Sequence, residues 1–438
     1  MSVLPEGWVH TTLAEIGEIR LGRQRSPKTH TGENMRPYLR AANVTWEGFD
    51  LSDVNAMHFS PSEVETYRLV PGDVLVAEAS GSRNQVGKPA LWNGEIDNCC
   101  FQNTLLRVRP LAALPKYVLN FLRMEALTGR LGDAARGVGI HHLGAAGLSS
   151  YPIPLAPITE QRRIVAAIEE QVSRLDTAEQ LLRRARRRAD RMRASALAAV
   201  TPTDCKWKTL GEIAEIVGGV TKDSKRQADP SFVEMPYLRV ANVQRGYLDL
   251  REVATIRVSP EKAKALRLEP GDILFNEGGD RDKLGRGWIW QGEIDDCIHQ
   301  NHVFRARLLT NDADPKYVSL HGNTFGQQWF EKMGKQTTNL ASINLKTLKS
   351  FPVPDLPVEE QHRIVAEVER RLTILESLST AIDHALTRSD HLRRSILEAA
   401  FAGKLVPQVP GDEPAFELLA RIASDHRKTA KPRRRRRA

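Results

Sequence analysis

Hydrophobic and polar positions along this chain fall into two rhythms, and the pair of rhythms occurs twice. Up to about residue 155, short apolar runs such as Asp73-Val74-Leu75-Val76 are punctuated by Gly and Pro. That pattern predicts short strands joined by loops, with some helix near Tyr117–Met124. The period then changes: Ile164, Ile168, Val172, Leu175 and Leu182 recur at three- and four-residue steps or their sums, which is one face of a helix. Strand-like runs return with Asp272-Ile273-Leu274-Phe275 and a helical stretch near Tyr317–Gly322. A second helical stripe follows at Ile364, Val368, Leu372, Leu375, Ile382 and Leu386. Neither Gly nor Pro interrupts residues 158–200 or 358–402. Each run therefore predicts a helix of about 43–45 residues, ~65 Å long at ~1.5 Å per residue.

The recurrence extends to the residues themselves. Thr12-Leu13-Ala14-Glu15-Ile16 returns as Thr209-Leu210-Gly211-Glu212-Ile213, and Pro37-Tyr38-Leu39-Arg40-Ala41-Ala42-Asn43-Val44 as Pro236-Tyr237-Leu238-Arg239-Val240-Ala241-Asn242-Val243. Pro71-Gly72-Asp73 matches Pro270-Gly271-Asp272, and Gln102-Asn103 matches Gln300-Asn301. The hinge Tyr151-Pro152-Ile153-Pro154, running on to Glu160-Gln161-Arg162-Arg163-Ile164, matches Phe351-Pro352-Val353-Pro354 running on to Glu360-Gln361-His362-Arg363-Ile364. A spacing that stays close to 200 residues throughout marks a tandem duplication.

A helix of that length with one apolar stripe needs a partner along its whole length. The simplest solution pairs the two repeat-related stripes as an antiparallel coiled coil with one lobe at each end, a pseudo-two-fold dumbbell. The other solution packs each helix on its own lobe. The expected fold is α+β, with two repeat-related globular α/β lobes separated by two long antiparallel helices. The expected divisions are a first lobe over 1–155, a central helix over 156–203, a second lobe over 204–355, a distal helix over 356–403 and a C-terminal segment over 404–438.

Composition narrows the class. Charged residues are 27% of the chain and hydrophobic ones 41%, as in an ordinary globular protein. No run approaches the ~20 apolar residues of a membrane span. The start, Met1 to Trp8, has neither the basic nor the apolar region of a signal peptide. The four cysteines, two of them adjacent at Cys99 and Cys100, have no C-x-x-C spacing. A cytoplasmic chain without a membrane partner is expected. The net charge of +9 is concentrated at the end, where Ser424 to Ala438 hold eight Lys/Arg against the single acid Asp425. Such a tail either engages a polyanion or is a solvated extension. Arg183, Arg184, Arg186, Arg187, Arg188, Arg191 and Arg193 on the central helix leave a similar choice: phosphate, an acidic partner, or a solvated helix face.

Catalytic patterns are missing. Ser82 to Pro89 is the nearest approach to a phosphate loop, but it lacks the first Gly and has Pro89 where Ser or Thr would hold magnesium. No methyltransferase Asn-Pro-Pro or Asp-Pro-Pro core occurs, and the Asp-x-Lys triplets have no nuclease context. His141-His142 has no ligand partner at metal spacing and reads as a loop contact. What the lobes do share is three pairs of basic, amide-bearing loops. The first pair holds Arg23, Arg25 and Lys28 against Lys222, Lys225 and Arg226; the second holds Arg83, Asn84 and Lys88 against Arg281, Lys283 and Arg286. The third holds Arg136, His141 and His142 against Lys335, Thr337 and Asn339. Arg and Lys suit phosphate and guanine, and Asn suits adenine. One such loop is ordinary surface. Matched loops with different side chains on a common framework suit two readers of different DNA sequences.

The chain resembles the specificity subunit of type I restriction–modification systems over nearly its whole length. The resemblance rests on Leu4-Pro5-Glu6-Gly7-Trp8, on the Pro-x-Pro-x-x-Pro-x-x-Glu-Gln-x-x-Ile hinge at Pro152–Ile164 and Pro352–Ile364, and on Ser395 to Gln408 followed by Asp412-Glu413-Pro414-Ala415. It implies two target-recognition domains, each reading half of a split DNA site. It also implies two modification subunits that carry S-adenosylmethionine and methylate adenine N6, and restriction subunits that use ATP and Mg. The helices would dock the modification subunits and set the spacer, with Glu160, Gln161, Arg163, Glu360, Gln361 and Arg363 as subunit contacts. This chain itself would bind no cofactor and catalyse nothing. The Arg-rich end from Lys431 to Arg437 is outside the family pattern. The alternatives are a helical scaffold that binds DNA without sequence preference, or a degenerate specificity subunit without an active partner.

Overall fold

The computed structural model of the chain describes residues 4–26, 31–80, 86–134, 141–223, 229–279, 283–333, 335–336 and 341–429. It forms two compact units, one made of Met1–Leu182 with His384–Ala438 and the other of Arg183–Asp383.

In the first unit a four-stranded antiparallel sheet runs Gly17–Leu21, Leu105–Pro110, Val74–Ala77, Pro89–Leu91. Val74, Leu75 and Val76 are fully buried, as a continuous apolar run covered on both faces should be. Beside it lies a three-stranded sheet of Asn55–His58, Met35–Leu39 and Cys100–Phe101, the last pair parallel. The hinge strand Pro152–Leu155 pairs antiparallel with Val9–Thr12. The helix Pro115–Leu127 buries Tyr117, Val118, Phe121 and Leu122 against the sheet core.

The second unit repeats this order. Its sheets run Ala214–Gly218, Val303–Leu308, Ile273–Asn276, Gly287–Ile289, and Ala254–Val258, Val233–Leu238, Ile298–His299. Lys206–Thr209 pairs with the hinge strand Pro352–Asp355. The expected helix near Tyr317 is longer than its counterpart, extending over Pro315–Met333.

The shared sequence motifs are framework. Asn43 Oδ1 accepts from the Arg40 backbone at 3.0 Å, and its Nδ2 donates to the carbonyls of Asp50 and Asp53, both at 2.9 Å. Asn242 makes the same clasp on Arg239, Asp249 and Glu252. Arg109 reaches Asp73 at 2.7 Å, and Arg307 reaches Asp272 at the same distance. Asp73 and Asp272 are buried, and each also accepts from a backbone N–H, that of Val70 or Glu269. A buried carboxylate needs such a set of donors.

Both long helices form as expected, over Ile158–Ala198 and Val358–Phe401. Each passes from one unit into the other. In the first unit Ile164, Val165 and Ile168 share a core with Leu397, Ala400 and Phe401. Farther along, Glu179 accepts from Ser389 at 2.7 Å and from Arg393 at 2.9 Å. In the second unit Arg186 binds both Asp383 oxygens, at 2.8 and 2.9 Å, and Val200 packs with Val365 and Val368. In each unit one number rises as the other falls, so the helix segments run antiparallel. The opening turns of each helix also pack on their own lobe, so both routes to burying the stripe are used.

The C-terminal segment closes over the first hinge. Ala415 donates its N–H to the Gly7 carbonyl at 2.9 Å, Asp412 accepts from Arg163 at 2.6 Å, and Gln408 donates to Glu160 at 3.1 Å. The helix Ala415–Thr429 follows, with Leu419 and Ile422 packed on the first core.

Candidate nucleic-acid interface

The candidate contact residues do not share one environment. Arg23 is committed within its lobe: its Nε donates to Glu63 at 2.7 Å and its guanidinium lies over the Phe59 ring. Arg25 and Lys222 are exposed at equivalent places. Lys88 and Arg286 are half-buried, and both donate to framework carbonyls, Lys88 to Val44 at 3.3 Å and Arg286 to Val240 at 3.4 Å. Lys283 is half-buried beside Leu284. Lys28, Arg83, Asn84, Arg136, Lys225, Arg226, Arg281, Thr337 and Asn339 lie outside the described residues.

The framework nevertheless pairs the strands that flank the second and third candidate segments of each lobe. Ala79–Ser80, which leads into the loop of Arg83, pairs antiparallel with His141–His142, which leaves the loop of Arg136. In the second unit Gly278–Gly279 pairs with Ala341–Ser342, and Lys335–Gln336 joins the other side of that strand. Strands that flank two candidate segments about 55 residues apart in sequence thus meet at one root in each lobe.

At that root stands a feature that a search by positive charge misses. Glu78 faces the exposed ring of His142, with Nδ1 3.1 Å from Oε2. Glu277 faces the exposed ring of His302, with Nδ1 2.5 Å from Oε2. Glu78 and Glu277 follow equivalent buried strands, so their recurrence was the available signal. His302 carried none, because its repeat counterpart is Thr104.

The hinge residues expected to touch another subunit are largely engaged within the chain. Glu160, Gln161 and Gln361 are buried within the chain. Glu160 accepts from Trp8 Nε1 at 3.0 Å and from Gln408. Gln161 accepts from the Leu114 N–H at 2.9 Å and donates to the Ala156 carbonyl at 2.8 Å. Gln361 accepts from the Asp314 N–H at 2.9 Å and donates to the carbonyls of Leu356 at 2.8 Å and Asp312 at 3.1 Å. These side chains fix the start of each long helix to its lobe and present no surface to a partner. Arg163 is half-buried and paired with Asp412. Arg363 and Glu360 are paired with each other at 3.1 Å and stay accessible.

Six of the seven central-helix arginines are exposed, and Arg186 is the one held by Asp383. Burial pushes the thiols of Cys99, Cys100 and Cys297 up to about 12, so they remain protonated and non-nucleophilic at neutral pH. Among the described residues no group of three His, Cys, Asp or Glu is placed to hold a metal ion, and no helix is long and apolar enough to cross a membrane. Among the described candidates, what stands exposed is cations, such as Arg25 and Lys222, and carboxylate-paired imidazoles.

Comparison with known proteins agrees with this arrangement. Residues 5–184 and 202–386 each match the family described as Type I restriction modification DNA specificity domain. The chain is 24% identical to the EcoKI specificity subunit of Escherichia coli (strain K12), covering 96% of each. It is equally identical, again over 96% of each chain, to the StySPI specificity subunit of Salmonella potsdam. Among solved structures it is similar to a chain from work on complex assembly and conformational transition of the type I R-M system, with a TM-score of 0.68 and 21% identity over 92% of this chain and 100% of that one. It is also similar to the HsdS subunit from Thermoanaerobacter tengcongensis, with a TM-score of 0.60 and 20% identity over 92% and 98%. Two matched domains, a shared fold and curated relatives spanning almost the full length place the chain in the type I restriction–modification DNA specificity family, as a non-catalytic specificity subunit with two target-recognition domains.

Proposed function

We propose that residues 1–155 and 204–355 are the two target-recognition domains and that each reads one half of a bipartite DNA site. The observation that carries this reading is the pairing of one framework with two sets of loops. Strand order, clasps and buried ion pairs recur in both units, while the side chains on the loops diverge. Exposed Arg25 and Lys222 suit phosphate, fixing the register of each lobe on the duplex. The loops of Arg83, Asn84, Arg136 and His141, with Arg281, Lys335, Thr337 and Asn339 in the other lobe, carry the side chains that suit base edges.

The long helices, residues 156–203 and 356–403, would set the spacer between half-sites and dock two modification subunits. One helical turn advances ~5.4 Å, against ~3.4 Å per base-pair step. A change of one turn therefore alters the spacer by about one to two base pairs. Accessible Glu360 and Arg363, with Arg163, remain the hinge residues for a subunit contact. The adenine methylation belongs to the modification subunits, which supply S-adenosylmethionine, and DNA cleavage to restriction subunits that use ATP and Mg. The chain's own task is to choose the site.

The test is binding of the chain, assembled with its modification subunit, to duplex DNA against unrelated competitor. Alanine at a base-reading residue should relax one motif position at a cost of ~1–3 kcal/mol. Alanine at a phosphate contact should weaken all sequences alike and lower the salt slope by about one. Binding indifferent to competitor sequence would favour the non-specific scaffold.

A further inference from the structure

The paired carboxylate and imidazole at the loop root recur in both lobes, yet the histidines come from different parts of the repeat. In the first unit His142 lies on the strand His141–His142 that leaves the third loop. In the second unit the residue at that place is Ser342, and the imidazole comes from His302, in the turn between Ile298–His299 and Val303–Leu308. The glutamates are equivalent. Glu78 donates its N–H to Thr104 and accepts from the Leu143 N–H; Glu277 donates to His302 and accepts from the Ile343 N–H. Backbone bonds on both sides hold each carboxylate in place.

We propose that Glu78 and Glu277 are positioning residues for two DNA-contacting imidazoles, His142 in the first half-site and His302 in the second. This rests on the recognition role proposed for the lobes. A carboxylate at a surface that approaches polyphosphate is unfavourable unless something covers it. Here the ring does so: Nδ1–H donates to the carboxylate, which fixes the tautomer and leaves Nε2 directed away from the glutamate. The side chains of His142 and His302 are 56% and 55% exposed, against 15% and 28% for Glu78 and Glu277, so the imidazole is the outer member of each pair. In the neutral ring Nε2 is an acceptor, matched to the exocyclic amino group of adenine or cytosine. In the second unit the Asn301 amide nitrogen donates to His302 Nε2 at 3.4 Å, a long bond that the amino group of a base would replace. Two lobes arriving at one arrangement by separate routes is what selection for a surface contact, rather than inheritance of a framework bond, would leave.

The test uses genomic DNA from cells expressing the full chain with its modification subunit, with methylated adenines mapped by single-molecule sequencing. Four variants are compared with the parent: His142→Ala, Glu78→Gln, His302→Ala and Glu277→Gln. His142→Ala and Glu78→Gln should lower discrimination about tenfold at one position of one half-site. His302→Ala and Glu277→Gln should do so in the other half, and Glu→Gln should act only while its histidine is present. Thermal unfolding of each purified variant separates this from misfolding. An unchanged motif in all four, or an equal loss in both halves, overturns the inference while leaving the recognition role intact. Absence of a split motif for the parent chain would overturn both.

Discussion

Replacing Gln161 by Ala should destabilise the first unit without altering which bases are read. The side chain is fully buried, and truncation strands the Leu114 N–H and the Ala156 carbonyl in the interior. Each buried group left without a partner costs about 1–3 kcal/mol, giving a loss of about 2–6 kcal/mol. That is a large share of the ~5–15 kcal/mol by which a domain is stable. For a unit of this size, at about 2–4 °C per kcal/mol, it lowers the melting temperature by about 4–24 °C. Gln361→Ala should do the same to the second unit, where three bonds are lost. The assay is calorimetry of the isolated full chain, beside capture of the modification subunit at a temperature where both variants stay folded. The expected result is an early transition of the affected unit with capture retained. An unchanged melting profile with lost capture would place these glutamines in a subunit interface and refute the intrachain clasp.

Acidification should weaken the second unit selectively. Burial holds His299 and His321 down at about 4, against an ordinary 6.5. The unfolded chain therefore binds more protons between those values, and the stabilisation is complete above pH ~6.5 and lost as pH falls toward ~4, on the order of 3 kcal/mol for each group. His321→Phe, which installs the residue found at the matching place in the first lobe, should remove about half of that slope in urea titrations from pH 7 to 5; an unaltered slope would contradict the assignment. Gly285→Ala should be severe, because φ is +61° and the new Cβ would lie 2.1 Å from the Phe330 ring. Gly129 has φ of +78° and nothing within 4 Å, so Gly129→Ala should cost only the ~1–2 kcal/mol of a left-handed residue. Equal melting temperatures for the two variants would refute the packing described at Gly285.

The large architecture was legible because duplication writes it twice. The helix limits followed from the absence of Gly and Pro, and the strand at Val74 from an unbroken apolar run. The hinge motif was legible as a motif but not in its role. Gln161 binds Leu114, 47 residues away, and no local pattern links the two. The closure of Gln408 and Asp412 over Glu160 and Arg163 spans about 250 residues and is equally silent in sequence. At the candidate recognition segments, charge alone did not show that the Arg23 guanidinium is already occupied by the neighbouring Glu63 and Phe59. The same criterion passed over Glu78 and Glu277, because an acid is the wrong sign for DNA until its imidazole partner is seen.

The central claim is that each lobe reads its own half of a divided site. The direct measurement is the adenine-methylation motif in cells that express the cognate modification subunit with either this chain or a chimera. The chimera would carry residues 204–355 from a specificity subunit of different target. The account predicts a split motif for the parent, and for the chimera a motif with one half unchanged, the other replaced and the spacer conserved. A chimera that alters both halves, or a parent motif without two parts, would contradict it.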